Sequence, residues 1–129
     1  MTANGPIVQI IDDDPTICDA LAELLGSVDL TVKTYPSALA FLEQLAPDSV
    51  GCVVTDIQMP QMSGLELLRQ LRASNPRLPV IVMSGGAGQA ARTEVLKGGA
   101  AAFIEKPFDD DVLLAAVWAA LAGHAGPAA

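Results

Sequence analysis

Five short apolar runs alternate along the chain with five segments of helical periodicity, and this alternation most constrains the fold. The runs are predicted as strands over residues 7–11, 30–35, 50–55, 79–83 and 101–105. Strands one, three and four are almost continuously apolar, which is typical of strands covered by helices on both faces. Strand two alternates apolar and polar residues, which favours a position at the edge of the sheet.

Helical segments fill the intervals between these strands. Helix one is predicted to begin near Pro15, with Asp13 or Asp14 as its N-cap, because proline suits the first turn and aspartate the cap. Helix four is predicted to be weak, because glycines precede and follow it. Helix five is predicted over residues 109–122, where acids in its first turn complement the helix dipole.

Strict alternation of strands and helices predicts parallel strands joined by right-handed crossovers. We therefore expect an α/β fold with a single doubly wound, five-stranded parallel sheet in the order 2-1-3-4-5 and five helices, of the flavodoxin-like kind. The length of 129 residues suits one domain. We assign residues 1–123 to this domain and residues 124–129 to a short flexible tail.

Charge and composition exclude several classes of function. The net charge of −8 argues against direct nucleic-acid binding, which needs clustered Lys and Arg. The sequence shows no secretory signal, and no apolar run approaches the roughly 20 residues of a membrane helix. Cys18 and Cys52 lie in apolar contexts without metal-ligand spacing, which predicts reduced core cysteines in a cytoplasmic protein.

Reactive side chains lie at the carboxyl ends of four predicted strands, where sheets of this kind bind ligands. In strand order they are Asp12, Asp13, Asp14, Asp56, Ser84 and Lys106. Each alone has a simpler explanation, because acid runs cap helices and Asp, Ser-Gly and Lys-Pro are common in turns. Their joint occurrence at the ends of the expected strands favours one shared site.

The residue types at this site predict phosphoryl chemistry. Carboxylates from adjacent strands would repel one another, and a hard divalent cation such as Mg²⁺ would relieve that repulsion. The Lys106 ammonium and the Ser84 hydroxyl would then contact phosphoryl oxygens. Asp56 is the candidate nucleophile, because a carboxylate can form an acyl phosphate.

The segments "IIDDD", "VVTDIQMPQMSG", "VIVMSG" and "FIEKPF" together resemble the receiver domain of two-component response regulators, the CheY-like superfamily. The wording "MPQMSG" and "FIEKPF" is most similar to the FixJ-type branch. The resemblance covers nearly the whole chain. It implies a phosphorylation-dependent switch that catalyses only its own phosphorylation and dephosphorylation.

By this resemblance, Asp56 accepts a phosphoryl group from a histidine kinase or a phosphotransfer protein. Asp12, Asp13, Asp56 and the backbone carbonyl of Gln58 would hold Mg²⁺, with Asp13 as a direct ligand and Asp12 acting partly through water. Asp14 falls outside the family's acidic pair and is expected to cap the helix.

The same resemblance assigns the switch. Ser84 and Lys106 would contact the phosphoryl group, and Phe103 would turn from an outward to an inward rotamer as Ser84 moves. The family's Lys-Pro peptide, here Lys106-Pro107, is commonly cis. The glycines after Ser84 predict a mobile segment over residues 85–99 whose order depends on phosphorylation.

Output is predicted through the face formed by helix four, strand five and helix five. Residues 112–122 contain no charged side chain, so whichever of Val117 and Trp118 faces outward is predicted to contact a second copy of the chain or a downstream protein. The alternative is a plain alanine-rich helix. The chain could act alone or as the amino-terminal part of a longer transcriptional regulator.

Two other functions use similar residues. A haloacid-dehalogenase-like phosphatase would need an acid two residues after the nucleophile, where this chain has Gln58. A receiver-shaped interaction module that is never phosphorylated would not need the complete set of acids, hydroxyl and lysine.

Overall fold

The computed structural model describes residues 7–46, 49–86 and 88–125, and the side chains of helix α5 as far as residue 122. Strands and helices alternate through these ranges as the sequence predicts. In chain order the elements are β1 (Ile7–Ile11), α1 (Pro15–Gly26), β2 (Thr31–Tyr35), α2 (Ala38–Gln44), β3 (Gly51–Asp56), α3 (Gly64–Ser74), β4 (Val80–Ser84), α4 (Gly88–Lys97), β5 (Ala102–Glu105) and α5 (Asp110–Ala125).

The five strands form one parallel sheet in the order β2-β1-β3-β4-β5, which confirms the predicted fold and topology. Strand β1 lies between β2 and β3, so Ile7 is in register with both Thr31 and Gly51. The order of the strands switches at β1, with β2 on one side of it and β3, β4 and β5 on the other. The carboxyl ends of β1 and β3 therefore lie side by side at the switch point, where such sheets bind ligands.

Two apolar clusters sandwich the sheet. On one face, α1 and α5 pack on the strands through residues that include Leu21, Leu25 and Leu113, all of them buried. On the other face, α2, α3 and α4 pack through residues that include Phe41 and Leu68. Every residue of β3 and β4 is buried, whereas β2 is largely exposed, which confirms its position at the edge.

Strand ends differ from the prediction by one residue, and the difference affects the site. Asp56 and Ser84 are the last residues of β3 and β4, whereas the predicted strands ended one residue earlier. The ladders continue because Asp56 pairs with Met83 and Ser84 pairs with Glu105. Pairing within the sheet therefore holds the backbone of both Asp56 and Ser84. Strands β2 to β5 each begin one residue later than predicted, at Thr31, Gly51, Val80 and Ala102.

Side-chain caps fix the beginnings of the first three helices. The Asp14 carboxylate accepts a hydrogen bond from the Thr16 N–H at 2.9 Å, so Asp14 and not Asp13 is the N-cap of α1. Ser37 caps α2 in the same way. Ser63 and Glu66 form a reciprocal capping box at α3.

Helix α5 extends to Ala125, three residues beyond its predicted end and into the predicted tail; residues 126–129 lie outside the described part of the chain. Cys18 and Cys52 are buried and unbridged. Burial raises the pKa of the Cys52 thiol to about 12, which keeps it protonated at neutral pH. None of the helices in the described ranges is both long enough and apolar enough to cross a membrane.

Candidate functional site

The acids that follow β1 occupy different environments. Asp12 is 1% exposed, and its backbone N–H donates to the Tyr35 carbonyl at 3.2 Å, which continues the β1–β2 pairing. Its carboxylate accepts a hydrogen bond from the Asp14 N–H at 2.9 Å. Asp13 is exposed, because the chain has left the sheet at this point. A buried, oriented carboxylate thus lies beside one that reaches solvent.

Asp56 ends β3 where the chain turns sharply beneath α3. The Ile57 N–H donates to the Met83 carbonyl at 2.9 Å, and the Gly64 N–H donates to the Ile57 carbonyl at 2.9 Å. A Cβ atom at position 64 would lie 2.3 Å from the Asp56 carbonyl oxygen, so the close approach of α3 requires glycine there. The backbone of Asp56 is consequently fixed from both the sheet and the helix.

Lys106 joins the two acidic strand ends. Its ammonium lies 3.4 Å from an Asp12 carboxylate oxygen and 3.6 Å from an Asp56 carboxylate oxygen. The Lys106 N–H donates to the Ser84 carbonyl at 2.7 Å, which fixes the backbone at the end of β5. The following Lys106–Pro107 peptide is cis, as the resemblance implies. One lysine therefore faces carboxylates from both β1 and β3.

The protonation of Asp56 reflects opposing influences. Burial raises the pKa of the Asp56 carboxyl above its ordinary value, and the Lys106 ammonium opposes that rise. The negative charge of Asp12 raises the pKa further, while the backbone amides of Ile57 and Gln58 lower it. A bound cation would compensate the negative charge that this site concentrates.

Three carboxylates could share a metal ion. One oxygen from each of Asp12, Asp13 and Asp56 lies within 4.8 Å of the other two. An all-oxygen donor set with one solvent-facing member suits a hard cation that retains water ligands. The Gln58 side chain is exposed in the loop after β3. The arrangement fits the cation predicted from the sequence.

Ser84 is fully buried at the end of β4, and the Gly86 N–H donates to its hydroxyl oxygen at 3.3 Å. The β3–β4 register pairs Asp56 with Met83, so Ser84 continues the adjacent strand one residue beyond the level of Asp56. The hydroxyl is thus tied to the glycine-rich segment that leads into α4.

Phe103 lies in β5 on the α3–α4 face of the sheet and is 7% exposed. The guanidinium carbon of Arg92, on α4, lies 5.6 Å from the centre of its ring. The sequence does not single out Arg92, because no motif includes it. Only packing of α4 onto β5 brings the two side chains together.

Comparison with known proteins agrees with this geometry. Residues 8–118 match the family described as "Response regulator receiver domain". The chain is 48% identical over 114 residues to "Transcriptional regulatory protein FixJ" of Azorhizobium caulinodans, an alignment that covers 88% of this chain and 54% of that protein. It is 36% identical over 121 residues to "Response regulator protein TodT" of Pseudomonas putida, covering 94% and 53%. The chain thus spans about half the length of these relatives.

Solved structures give the same result. The crystal structure of FixJ-N superposes with a TM-score of 0.85 at 40% identity, covering 94% of this chain and 97% of that one. Full-length FixJ from B. japonicum superposes with a TM-score of 0.87 at 36% identity, covering 95% and 61%. With its matching fold, strand-end acids and lysine, the chain belongs to the response regulator receiver domain family.

Proposed function

We propose that this receiver works by phosphorylation of Asp56, with a histidine kinase or a phosphotransfer protein as the donor. The observation that supports this most directly is the convergence of Asp12, Asp13, Asp56 and Lys106 at one sheet edge. A histidine-to-aspartate transfer needs a nucleophilic carboxylate, a cation at the phosphoryl oxygens and access from solvent. In support, this edge carries the Asp56 carboxylate, the Lys106 ammonium, three acids that could hold a metal ion, and the solvent-exposed Asp13.

In the transfer, an Asp56 carboxylate oxygen attacks phosphorus, the P–O bond forms and the P–N bond of the phosphohistidine breaks. The imidazole leaves with the electron pair of the broken bond and is neutral when its other nitrogen carries a proton during the transfer. Lys106 would neutralise a phosphoryl oxygen, because its ammonium already lies 3.6 Å from Asp56. Hydrolysis of the resulting acyl phosphate would reset the domain.

Asp12, Asp13, Asp56 and the backbone carbonyl of Gln58 would hold Mg²⁺ in this proposal. The cation would draw charge from the phosphoryl oxygens during transfer. Asp13 is exposed and could bind the ion directly, whereas the buried Asp12 is already oriented by the Asp14 N–H. Removal of the ion should therefore prevent transfer without unfolding the protein.

Ser84 and Phe103 would transmit phosphorylation to the surface. Ser84 would move toward the new phosphoryl oxygens, and Phe103 would occupy its inward position beside α4. Phosphorylation need only favour one arrangement by a few kcal/mol to reverse a modest bias. In the described structure Phe103 already packs inward, which supports an accessible inward state.

A protein donor would approach along an apolar groove of about 750 Å³ beside the site. Its lining includes Ala20 and Leu24 of α1, Phe108 after β5, and Lys106, which also faces Asp56. The variant Ala20→Trp places a large side chain in this groove from an exposed helix position. For any kinase that phosphorylates the wild-type protein, we expect this variant to slow the transfer at least tenfold. Phosphorylation by acetyl phosphate should stay unchanged; equal slowing of both donors would contradict the assignment.

The output would be homodimerisation or binding of a downstream protein through α4, β5 and α5. Two relatives are named as transcriptional regulatory and response regulator proteins, and this chain covers about half of each. We infer a cytoplasmic regulator that acts on transcription when joined to an output domain. The receiver itself would not contact nucleic acid, because the net charge is −8.

Intact-mass spectrometry tests the proposal most directly. The protein is incubated with Mg²⁺ and acetyl phosphate, beside Asp56→Asn and an EDTA control. We expect a single phosphoryl adduct that requires both Mg²⁺ and Asp56. Asp19→Asn, which changes an exposed acid on α1, should be phosphorylated like the wild type.

Two results would contradict the proposal. An adduct that persists in Asp56→Asn would place the phosphoacceptor elsewhere. Absence of any adduct with several small donors would favour the alternative of a receiver-shaped interaction module that works without phosphorylation.

A further inference from the structure

Helix α4 is attached to the fold by few contacts. Of its residues only Val95 is fully buried, whereas α3 buries four. Gly86 and Gly88, at its beginning, have φ values of 129° and 85°, and a Cβ atom at either position would meet nothing within 4 Å. The position of α4 therefore depends on a small number of side-chain contacts.

Two arginine contacts supplement Val95. Arg69 of α3 pairs with Glu94 of α4 at 3.3 Å, but both side chains are more than half exposed, so solvent screens this pair. Arg92 instead points from α4 to β5, where its guanidinium lies 5.6 Å from the centre of the Phe103 ring. A cation over an aromatic face within about 6 Å is attracted by the ring quadrupole.

The contact of Arg92 depends on where the Phe103 ring lies. The ring packs with Val82 and Val95 in the cluster between the sheet and α3–α4, and the exposed Arg92 covers it from solvent. A Phe103 ring turned outward would lose both its contacts in this cluster and its contact with the Arg92 guanidinium. Arg92 therefore favours the inward position of the ring. The size of this preference is the difference in free energy of the Arg92–ring contact between the inward and outward positions.

We propose that Arg92 is a positioning residue that holds Phe103 inward and thereby raises the readiness of Asp56 to accept a phosphoryl group. This inference rests on the proposed function, in which the phosphorylated state contains the inward ring. Coupling between two sites is reciprocal. A residue that favours the inward ring before phosphorylation must then favour phosphorylation itself.

The test uses fluorine NMR of protein labelled with 4-fluorophenylalanine. The chain has three phenylalanines, Phe41, Phe103 and Phe108, and Phe103→Leu assigns the resonance of interest. Broadening by a soluble gadolinium chelate measures how much of each ring faces solvent. The variants are Arg92→Gln, which removes the charge, Arg92→Lys, which keeps it, and Arg69→Gln, which removes the neighbouring contact of α4.

In Arg92→Gln we expect the ratio of exposed to buried Phe103 ring to rise about two- to fivefold, which corresponds to the usual strength of an exposed cation–π contact. The affinity for beryllofluoride, an aspartyl-phosphate mimic, should fall in the proportion in which the inward population falls. Arg92→Lys should restore most of both quantities. Arg69→Gln should leave the ring ratio unchanged.

Three results would overturn the inference. They are an unchanged ring ratio in Arg92→Gln, a changed ratio with an unchanged affinity for beryllofluoride, and equal effects of Arg92→Gln and Arg69→Gln. The last would show that any loosening of α4 suffices. Failure of the proposed function gives a different result, because the wild-type protein itself would then take no phosphoryl group.

Discussion

At the scale of single residues, the site concentrates negative charge that one lysine only partly offsets. Asp56 is 9% exposed and lies near the carboxylates of Asp12 and Asp13. Burial is the largest influence on its carboxyl and raises the pKa. The site thus concentrates negative charge that a bound cation would neutralise, at some cost to the stability of the resting fold.

The raised pKa predicts a pH-dependent gain in stability for Asp56→Asn. The unfolded carboxyl ionises near 3.8, below the folded value, so the folded state binds more protons between the two values. The wild-type free energy of unfolding therefore falls as the pH rises through this window. In EDTA, Asp56→Asn should unfold at higher urea concentration than wild type at pH 7, and the difference should shrink toward pH 3. Asp19→Asn serves as the control; a gain independent of pH would contradict this cause.

Magnesium should stabilise the fold through Asp13. Because Asp13 is exposed, Asp13→Ala should leave the unfolding midpoint in EDTA nearly unchanged. At a Mg²⁺ concentration 100 times its dissociation constant, the free energy of unfolding of the wild-type protein should rise by about 2.7 kcal/mol. In Asp13→Ala most of this rise should be lost. Thermal unfolding with and without Mg²⁺ measures both. An equal gain in the two proteins would exclude Asp13 as a ligand.

At the scale of elements, rigidity is distributed unevenly around the site. Helix α3 begins with a capping box and buries Leu67, Leu68 and Leu71. Its first residue, Gly64, contacts the backbone of Asp56 closely, so α3 supports the proposed phosphoacceptor. Helix α4 has one fully buried residue and follows the segment that carries Ser84. The well-packed helix α3 thus supports Asp56, and the loosely packed helix α4 follows the segment of Ser84, the proposed switch residue.

A single methyl group should reveal the support that α3 gives. Gly64→Ala places a Cβ atom 2.3 Å from the Asp56 carbonyl oxygen and should lower the free energy of unfolding by about 1–3 kcal/mol through overpacking. Gly26→Ala, at the end of α1, meets no atom within 4 Å and should be neutral or stabilising by up to about 1 kcal/mol. Urea unfolding compares them, and similar losses in both would contradict the close approach.

Amide exchange should distinguish α4 from α3. We expect residues 85–99 to exchange faster than α3 in the unphosphorylated protein, because few buried contacts hold α4. Phosphorylation should slow this exchange as α4 becomes ordered. Exchange that is equally slow in both states would contradict a phosphorylation-dependent output element. Mass spectrometry of peptic fragments, with β3 as the internal reference, resolves these segments.

At the scale of the whole molecule, α5 presents an unusual surface. Val117 is fully buried against the sheet, whereas Trp118 and Val112 are each 48% exposed. Large exposed apolar side chains on a helix that carries no charged residue over positions 112–122 favour a protein contact. Of the two residues that the sequence left open, Trp118 is therefore the one that faces outward, and Val117 faces the sheet.

Phosphorylation should change the assembly state through this surface. In Mg²⁺ and beryllofluoride, an aspartyl-phosphate mimic, the wild-type protein should shift toward a dimer in size-exclusion chromatography with light scattering. Trp118→Ser should weaken the dimer at least tenfold without preventing beryllofluoride binding. Leu39→Ser, a comparably exposed apolar position on α2, is the matched control. If Trp118→Ser dimerises like the wild type, the homodimer does not form through α5.

The sequence by itself determined the fold, because strand and helix periodicities are local and parallel connections leave few topologies. It also determined which residues collect at the carboxyl edge, since a side chain at a strand end is placed by its strand. Asp12, Asp56 and Lys106 are therefore where their positions in the chain predict.

Only the tertiary structure decided the contacts between elements that no local pattern encodes. Asp13 is exposed while Asp12 is buried, Gly64 contacts the Asp56 backbone, and Arg92 of α4 covers the Phe103 ring of β5. Each of these features depends on how the helices pack on the sheet. Such packing depends on many side chains at once, so it is fixed only when the whole core forms.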